Sequence, residues 1–143
     1  MIDAVPLRRD AKIELLKKVP LFAGCSKNEL RQLARIADEI DLREGTVLTR
    51  QGRTGHEFFV LINGTSRVDK NGRKVADLGP GDWFGEIALL TKAPRTATVT
   101  ATSPVRTLVI IDRDFRHTVS EMPSIAMKVL TCVAERLSRT PQS

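Results

Sequence analysis

Residues 81–98 read Gly-Asp-Trp-Phe-Gly-Glu-Ile-Ala-Leu-Leu-Thr-Lys-Ala-Pro-Arg-Thr-Ala-Thr and hold the residue types in this chain best suited to chemistry. A turn through Gly79, Pro80, Gly81 and Asp82 leads into an aromatic pair, Trp83 and Phe84. One apolar helical turn follows over residues 85–90, and a loop then brings the chain back through Pro94 and Arg95 to a strand pattern at Thr96. A helix start preceded by glycine presents unpaired backbone N–H groups at the positive end of its dipole, which makes an anion site. Arg95 adds a planar guanidinium able to grip two oxygens of one phosphate. Glu86, in the first turn of that helix, sets a carboxylate beside the arginine. A carboxylate repels bare phosphate, so the ligand that suits both residues also carries hydroxyl groups for Glu86 to accept from. A phosphorylated sugar meets both demands.

The surrounding pattern explains how such a stretch would be held in place. Residues 7–18 carry Leu7, Ala11, Leu15 and Lys18 on one track, a short amphipathic helix that Pro20 ends by forcing Val19 out of helical geometry. Ser26 and Glu29 have the spacing of a capping box, opening a helix to about Ala37 with Leu30, Leu33, Ala34 and Ala37 inward. From Asp38 the period falls to two, with Ile40 and Leu42 alternating with charged residues. Strand patterns recur at residues 46–49, 57–63, 64–70, 73–78, 96–102 and 105–112, and Asn71-Gly72 is a type I′ hairpin signal. Short strands with frequent turns predict an α+β chain built on a small antiparallel β-barrel or jelly roll. Helices are predicted over 115–121 and 124–138. The second has two apolar stripes, Ile125, Val129 and Cys132 with Arg136, and Ala126, Leu130, Val133 and Leu137. One stripe can cover the barrel while the other meets a partner helix, or both can pack within the chain. Residues 139–143 are expected to be a frayed tail.

Composition sets outer limits. The 143 residues, 41% of them hydrophobic, suffice for one domain over residues 1–143. Its parts are a helical lead-in at 7–37, a barrel at 38–112 that contains residues 81–98, and C-terminal helices at 113–138. The net charge of +6 is spread along the chain and reads as a solvated basic surface. Cys25 and Cys132 stand far apart with no metal spacing, as free thiols in a reducing compartment. The charged first twenty residues hold no signal-peptide core, and no apolar run approaches a bilayer span, so a cytoplasmic location is expected. A metal enzyme on such a barrel needs clustered histidines, whereas His56 and His117 are isolated from one another. Neither a nucleophile with a nearby histidine nor a Walker loop is present. With 4% aromatics and no tyrosine, base stacking along a single strand has little to work with.

Phe84-Gly85-Glu86-Ile87-Ala88-Leu89-Leu90, followed by Pro94-Arg95-Thr96-Ala97, resembles the phosphate-binding cassette of cyclic nucleotide-binding domains. That family includes catabolite activator proteins, regulatory subunits of cyclic-AMP-dependent kinase and cyclic-nucleotide-gated channels. The resemblance implies a double-stranded β-helix barrel between helices, a non-enzymatic regulatory role, no cofactor, and cyclic AMP or cyclic GMP as ligand. It places the cyclic phosphate on the amides of Gly85, Ala88 and Ala97, clamped by Arg95 with Thr96 available as a hydroxyl, and the ribose hydroxyl on Glu86. Phe84 and Ile87 complete the cassette. It implies that Glu86 and Arg95 hold each other, that Arg136 or Leu137 caps the base, and that the helices after Asp112 move. Compactness favours cyclic AMP, and Thr96 does not decide between the bases. No recognition helix for DNA is evident, and the expected partners are a protein effector, in trans or fused, and a second copy through the last helix. The alternative is an interaction module that keeps the fold and binds no nucleotide. The presence of both Glu86 and Arg95 favours the receptor.

Overall fold

The computed structural model describes residues 7–139; of the tail expected at 139–143, Arg139 is the last residue of a helix and 140–143 lie outside the described residues. Two helices lead in, α1 (Arg9–Lys17) and α2 (Lys27–Arg35), joined by a 3-10 turn at Pro20–Phe22. Eight strands follow: β1 (Asp38–Leu42), β2 (Val47–Thr49), β3 (Glu57–Asn63), β4 (Ser66–Lys70), β5 (Arg73–Leu78), β6 (Trp83–Phe84), β7 (Thr98–Ala101) and β8 (Val105–Ile111). A second 3-10 turn, Glu86–Leu89, sits between β6 and β7, and α3 (Asp112–Glu121) and α4 (Ser124–Arg139) complete the described chain. The strands form two four-stranded antiparallel sheets in the orders β1-β8-β3-β6 and β2-β7-β4-β5, a jelly-roll arrangement.

The runs Phe58-Phe59-Val60-Leu61 and Leu108-Val109-Ile110 are buried on both faces, which is why their apolar character is continuous and not alternating. Phe58, Val60, Leu108 and Ile110 face the helices and pack with Leu16, Phe22, Leu33, Phe115 and Ile125 in the larger core. Leu61 faces the interior between the sheets with Ala101, Val105, Leu78 and Phe84. The strand carrying both cores therefore links the helices to the site. Phe22 stands edge-on to Phe58, with ring centroids 5.9 Å apart.

Local signals explain most boundaries. Ser26 Oγ accepts from the Glu29 amide at 3.1 Å and Glu29 Oε1 accepts from the Ser26 amide at 2.7 Å, completing the expected capping box. Asn71 and Gly72 both take positive φ, 51° and 79°, as a type I′ turn requires. Some elements depart from the pattern. Strand β8 ends at Ile111 and α3 starts at Asp112, ahead of the expected 115. Ile111 offers no capping side chain, and Asp112 and Asp114 complement the helix N-terminus by charge instead. Ile40 in β1 is 36% exposed although it pairs with buried Thr107, while its neighbour Glu39 is ion-paired with Arg106 at 3.0 Å.

The two stripes of α4 part company. Ile125 and Val129 are buried, and Cys132 donates to the Pro20 carbonyl at 3.2 Å. On the second stripe Val133 still packs against the larger core, but Leu130 and Leu137 are 59% and 66% exposed, as is Met127 beside them at 61%. Lys128 anchors the helix further by pairing with buried Glu29 at 2.9 Å. Burial pushes the Glu29 carboxyl up, but bonds from Ser124, the Ser26 amide, Lys128 and the Ser26 hydroxyl outweigh it and bring the pKa to about 2.

Candidate functional site

Strand β6 pairs with β3, Phe84 opposite Phe59, and the two rings stack 4.8 Å apart. Trp83 packs against the larger core and Phe84 against the smaller one, so the pair anchors the cassette from beneath. Gly85 then takes φ +85°, a left-handed conformation open to glycine at little cost, and turns the chain into Glu86–Leu89. That turn is 3-10, and its bonds close one residue earlier than an α turn would. The Ala88 amide therefore donates to the Gly85 carbonyl at 3.0 Å. The amides ahead of that first bond are those of Glu86 and Ile87, not Ala88.

Residues 94–98 are stitched to the loop before β3. Gly52 donates to the Arg95 carbonyl and Arg95 to the Arg53 carbonyl, both at 2.8 Å. Thr49 Oγ1 donates to the Ala97 carbonyl at 3.1 Å, and Gln51 donates its amide N–H to Thr98 Oγ1 at 2.9 Å. The loop is tied in turn to the β4–β5 hairpin by paired amide contacts of Gln51 with Asn71, each 2.8 Å.

This frame fixes Arg95, whose side chain is only 9% exposed. Its Nη2 donates to the Glu57 carbonyl at 2.7 Å and lies 3.4 Å from Glu57 Oε1, while Nη1 lies 3.5 Å from the Gly85 carbonyl. A Cβ at Gly55 would overlap the guanidinium, and one at Gly85 would come within 2.7 Å of Nη1. The arginine thus threads a gap that two missing side chains leave open. Burial draws its pKa below the ordinary value, with Glu57 opposing; an arginine so perturbed stays charged at neutral pH.

The expected Glu86–Arg95 contact is not made among the described residues. Arg95 passes beneath the cassette to acceptors on β3, and Glu86 instead meets Arg136 of α4 at 3.9 Å. Of the two candidates on the last helix, Arg136 reaches the cassette, whereas Leu137 is 66% exposed and lines neither cavity described below.

Two adjoining cavities meet at Arg95. One, of about 360 Å³, is lined by residues 83–88 and 93–96, which include Phe84, Gly85, Glu86, Ile87, Ala88, Arg95 and Thr96. The other, of about 220 Å³, lies towards the second sheet between Thr49, Val68, Leu78, Val99, Phe84, Gly85, Arg95, Thr96 and Ala97. All eight expected cassette residues therefore border one cavity or both. Sequence reasoning missed Gly55, Glu57 and the apolar walls Val68, Leu78 and Val99. A glycine and an acid just ahead of a buried strand carry no signal of which distant arginine they hold. His56 bonds Asp112, and exposed His117 pairs with Glu121 at 2.8 Å. No metal-binding group of His, Cys, Asp and Glu occurs among the described residues.

Residues 39–121 match the family model described as the cyclic nucleotide-binding domain. The chain is 28% identical to a cAMP-dependent protein kinase regulatory subunit of Dictyostelium discoideum, with 100% of this chain aligned to 46% of that protein. It is 29% identical to a CRP-like cAMP-activated global transcriptional regulator of Mycobacterium tuberculosis, over 89% of this chain and 59% of the relative. Its fold superposes with TM-score 0.78 on the N-terminal domain of a transcriptional regulator from Streptomyces coelicolor A3(2), at 30% identity over 87% of this chain and 90% of that one. The antiparallel jelly roll with flanking helices is the architecture of these relatives. The chain belongs to the cyclic nucleotide-binding domain family, and it spans about half the length of these two curated relatives.

Proposed function

We propose that this domain binds a cyclic nucleotide, cyclic AMP in preference to cyclic GMP, and passes occupancy to α3 and α4. The observation that carries the reading is the buried Arg95 guanidinium at the junction of two cavities, held by β3 and crowded by two glycines. A guanidinium has more N–H donors than the contacts to Glu57 and Gly85 use, so donors remain for a phosphate. The cyclic phosphate would lie between Arg95 and the amides of Glu86 and Ile87, with the Thr96 hydroxyl and the Ala97 backbone at its flank. Glu86 would accept from the ribose hydroxyl, and the purine would lie along Val68, Leu78 and Val99. Arg136 is the cap from the last helix. The names of the kinase subunit and of the mycobacterial regulator support cyclic AMP as the ligand. No helix among the described residues is long and apolar enough to cross a membrane, which fits a cytoplasmic regulator. The exposed stripe of Met127, Leu130 and Leu137 would serve a second copy of the chain, and an effector protein would receive the signal.

Isothermal titration of the purified chain with cyclic AMP and cyclic GMP, alongside Arg95→Ala, tests the ligand. Micromolar binding that disappears in the variant supports the receptor and ranks the two bases. Folded protein silent to both nucleotides would sink it and leave the interaction module.

A further inference from the structure

Three consecutive residues ahead of and entering β3 divide their contacts in an unusual way. Gly55 leaves the space that the Arg95 guanidinium occupies, and Glu57 supplies that guanidinium with a carbonyl at 2.7 Å and a carboxylate oxygen at 3.4 Å. His56, between them, turns the other way. Its carbonyl accepts from the Asp112 amide at 2.8 Å, and its Nδ1 lies 3.0 Å from Asp112 Oδ2. Asp112 is the first residue of α3 and its side chain is 7% exposed, while Arg116 one turn later sits 3.4 Å from the same oxygen. The Asp112 carboxylate stays below its ordinary pKa although burial pushes it up, because His56, the Arg113 amide and Arg116 outweigh that burial. An ionised carboxylate only accepts, so Nδ1 of His56 carries the proton and donates.

We infer that His56 is the positioning residue that couples the phosphate-gripping arginine to the C-terminal helices. The inference rests on the proposed nucleotide binding and adds to it the physical link between site and response. Any shift of Arg95 toward a phosphate moves the Glu57 carbonyl or loses it. The neighbouring peptide unit is the one that holds the start of α3. The link is short: the acceptor of the arginine and the acceptor of the helix belong to adjacent residues, Glu57 at the start of β3, which pairs with β8, and His56 just ahead of it. Coupling demands such a physically connected element with two arrangements, biased from both ends.

The test measures cyclic AMP affinity by titration and, in parallel, the change in amide hydrogen exchange that cyclic AMP causes in residues 86–97 and in α3 and α4. His56→Ala should keep the dissociation constant within about threefold and keep the response of the cassette, while the response of α3 and α4 falls at least fivefold, the lower end of ordinary coupling strengths. His56→Asn places a donor at the same bond separation from the backbone as Nδ1 and should restore the helix response. A purely structural contact would lower the melting temperature of His56→Ala without changing what the ligand does to α4. An unaltered helix response in His56→Ala overturns the inference. So does loss of affinity and helix response together, which would make His56 part of the binding site's own fold. A wild-type chain that binds no cyclic nucleotide overturns the receptor reading and this one with it, and the initial titration alone separates that case from the others.

Discussion

The guanidinium of Arg95 fills the volume that a side chain on Gly55 would occupy, although the two residues lie forty positions apart. Neither residue makes sense without the other. A buried arginine needs acceptors and room, and the carbonyl of Glu57 and the bare Cα of Gly55 supply one each. The cassette is thus assembled from two segments, residues 52–57 and 84–97, and only the second has a recognisable pattern.

Gly55→Ala isolates this relationship, because Gly55 has no positive φ and the substitution adds volume without backbone strain. It should weaken cyclic AMP binding at least tenfold and destabilise the fold by about 1–3 kcal/mol through overpacking. Gly85→Ala adds left-handed strain to the same crowding and should cost about a further 1 kcal/mol. Titration and urea unfolding of the two variants together separate space from strain. A Gly55→Ala protein with native affinity would show that the guanidinium is free to relocate.

Arg95→Lys should fail almost as badly as Arg95→Ala. A single ammonium cannot span the carbonyls of Glu57 and Gly85 and still present a fork to a phosphate. The expected loss is about 2–4 kcal/mol, or tens to several hundredfold in affinity. Calorimetry with cyclic AMP measures it, and binding within fivefold of wild type would mean that charge alone holds the ligand.

Acid should loosen α4 before it unfolds the sheets. Glu29 is buried with a pKa lowered from 4.5 to about 2, so its pairing with Lys128 and Ser26 adds stability above pH 4.5 and loses it as the pH falls towards 2. A shift of this size corresponds to on the order of 3 kcal/mol. Urea midpoints of wild type and Glu29→Gln should differ most near neutrality and converge below pH 3. A gap that stays constant from pH 7 to pH 2 would show that the pair adds nothing.

Cys25 should resist alkylation. Burial chiefly, with Glu29 adding and Lys128 opposing, pushes its thiol up to about 11, leaving little thiolate at pH 8. Iodoacetamide should modify it on the order of a hundredfold more slowly than a free thiol. Mass spectrometry after timed labelling, with and without urea, reads the rate, and rapid native labelling at Cys25 would contradict the burial described.

The exposed apolar stripe on α4 tests the second-copy partner. Leu130→Glu with Leu137→Glu should convert a sedimenting dimer to monomer with cyclic AMP affinity within about threefold, since neither residue lines the cavities. A wild-type chain that sediments as a monomer at 100 μM would remove that partner. An affinity lost in the double variant would place the stripe against the nucleotide instead.

What the sequence disclosed was local. Ser26 with Glu29, and Asn71 with Gly72, act over two to four residues, and both formed as expected. Phe84 to Ala88 and Arg95 to Ala97 were legible as a joint pattern, and all border the cavities. What stayed hidden depends on separation along the chain. The acceptor for Arg95 lies 38 residues earlier, and Lys128 finds Glu29 across 99 residues. The family resemblance implied Glu86 as the arginine's partner, but the fold sends the Arg95 side chain beneath the cassette to Glu57. Of the amides expected to face the phosphate, that of Ala88 is bonded to the Gly85 carbonyl, a consequence of the 3-10 turn that the residues of Glu86–Leu89 do not encode.

The capping box of α2 has a consequence beyond its own helix. Glu29 closes the first turn of α2 with one oxygen, and the same Oε1 holds Lys128 of α4. If α4 moved a little way off, the ammonium would leave while the carboxylate stayed buried against apolar neighbours, an arrangement worse than either endpoint. Intermediate positions of α4, in which Glu29 has lost Lys128 but not its burial, are therefore penalised. Any signal that travels through α4 is accordingly stepwise, closer to a relay contact than to a dimmer.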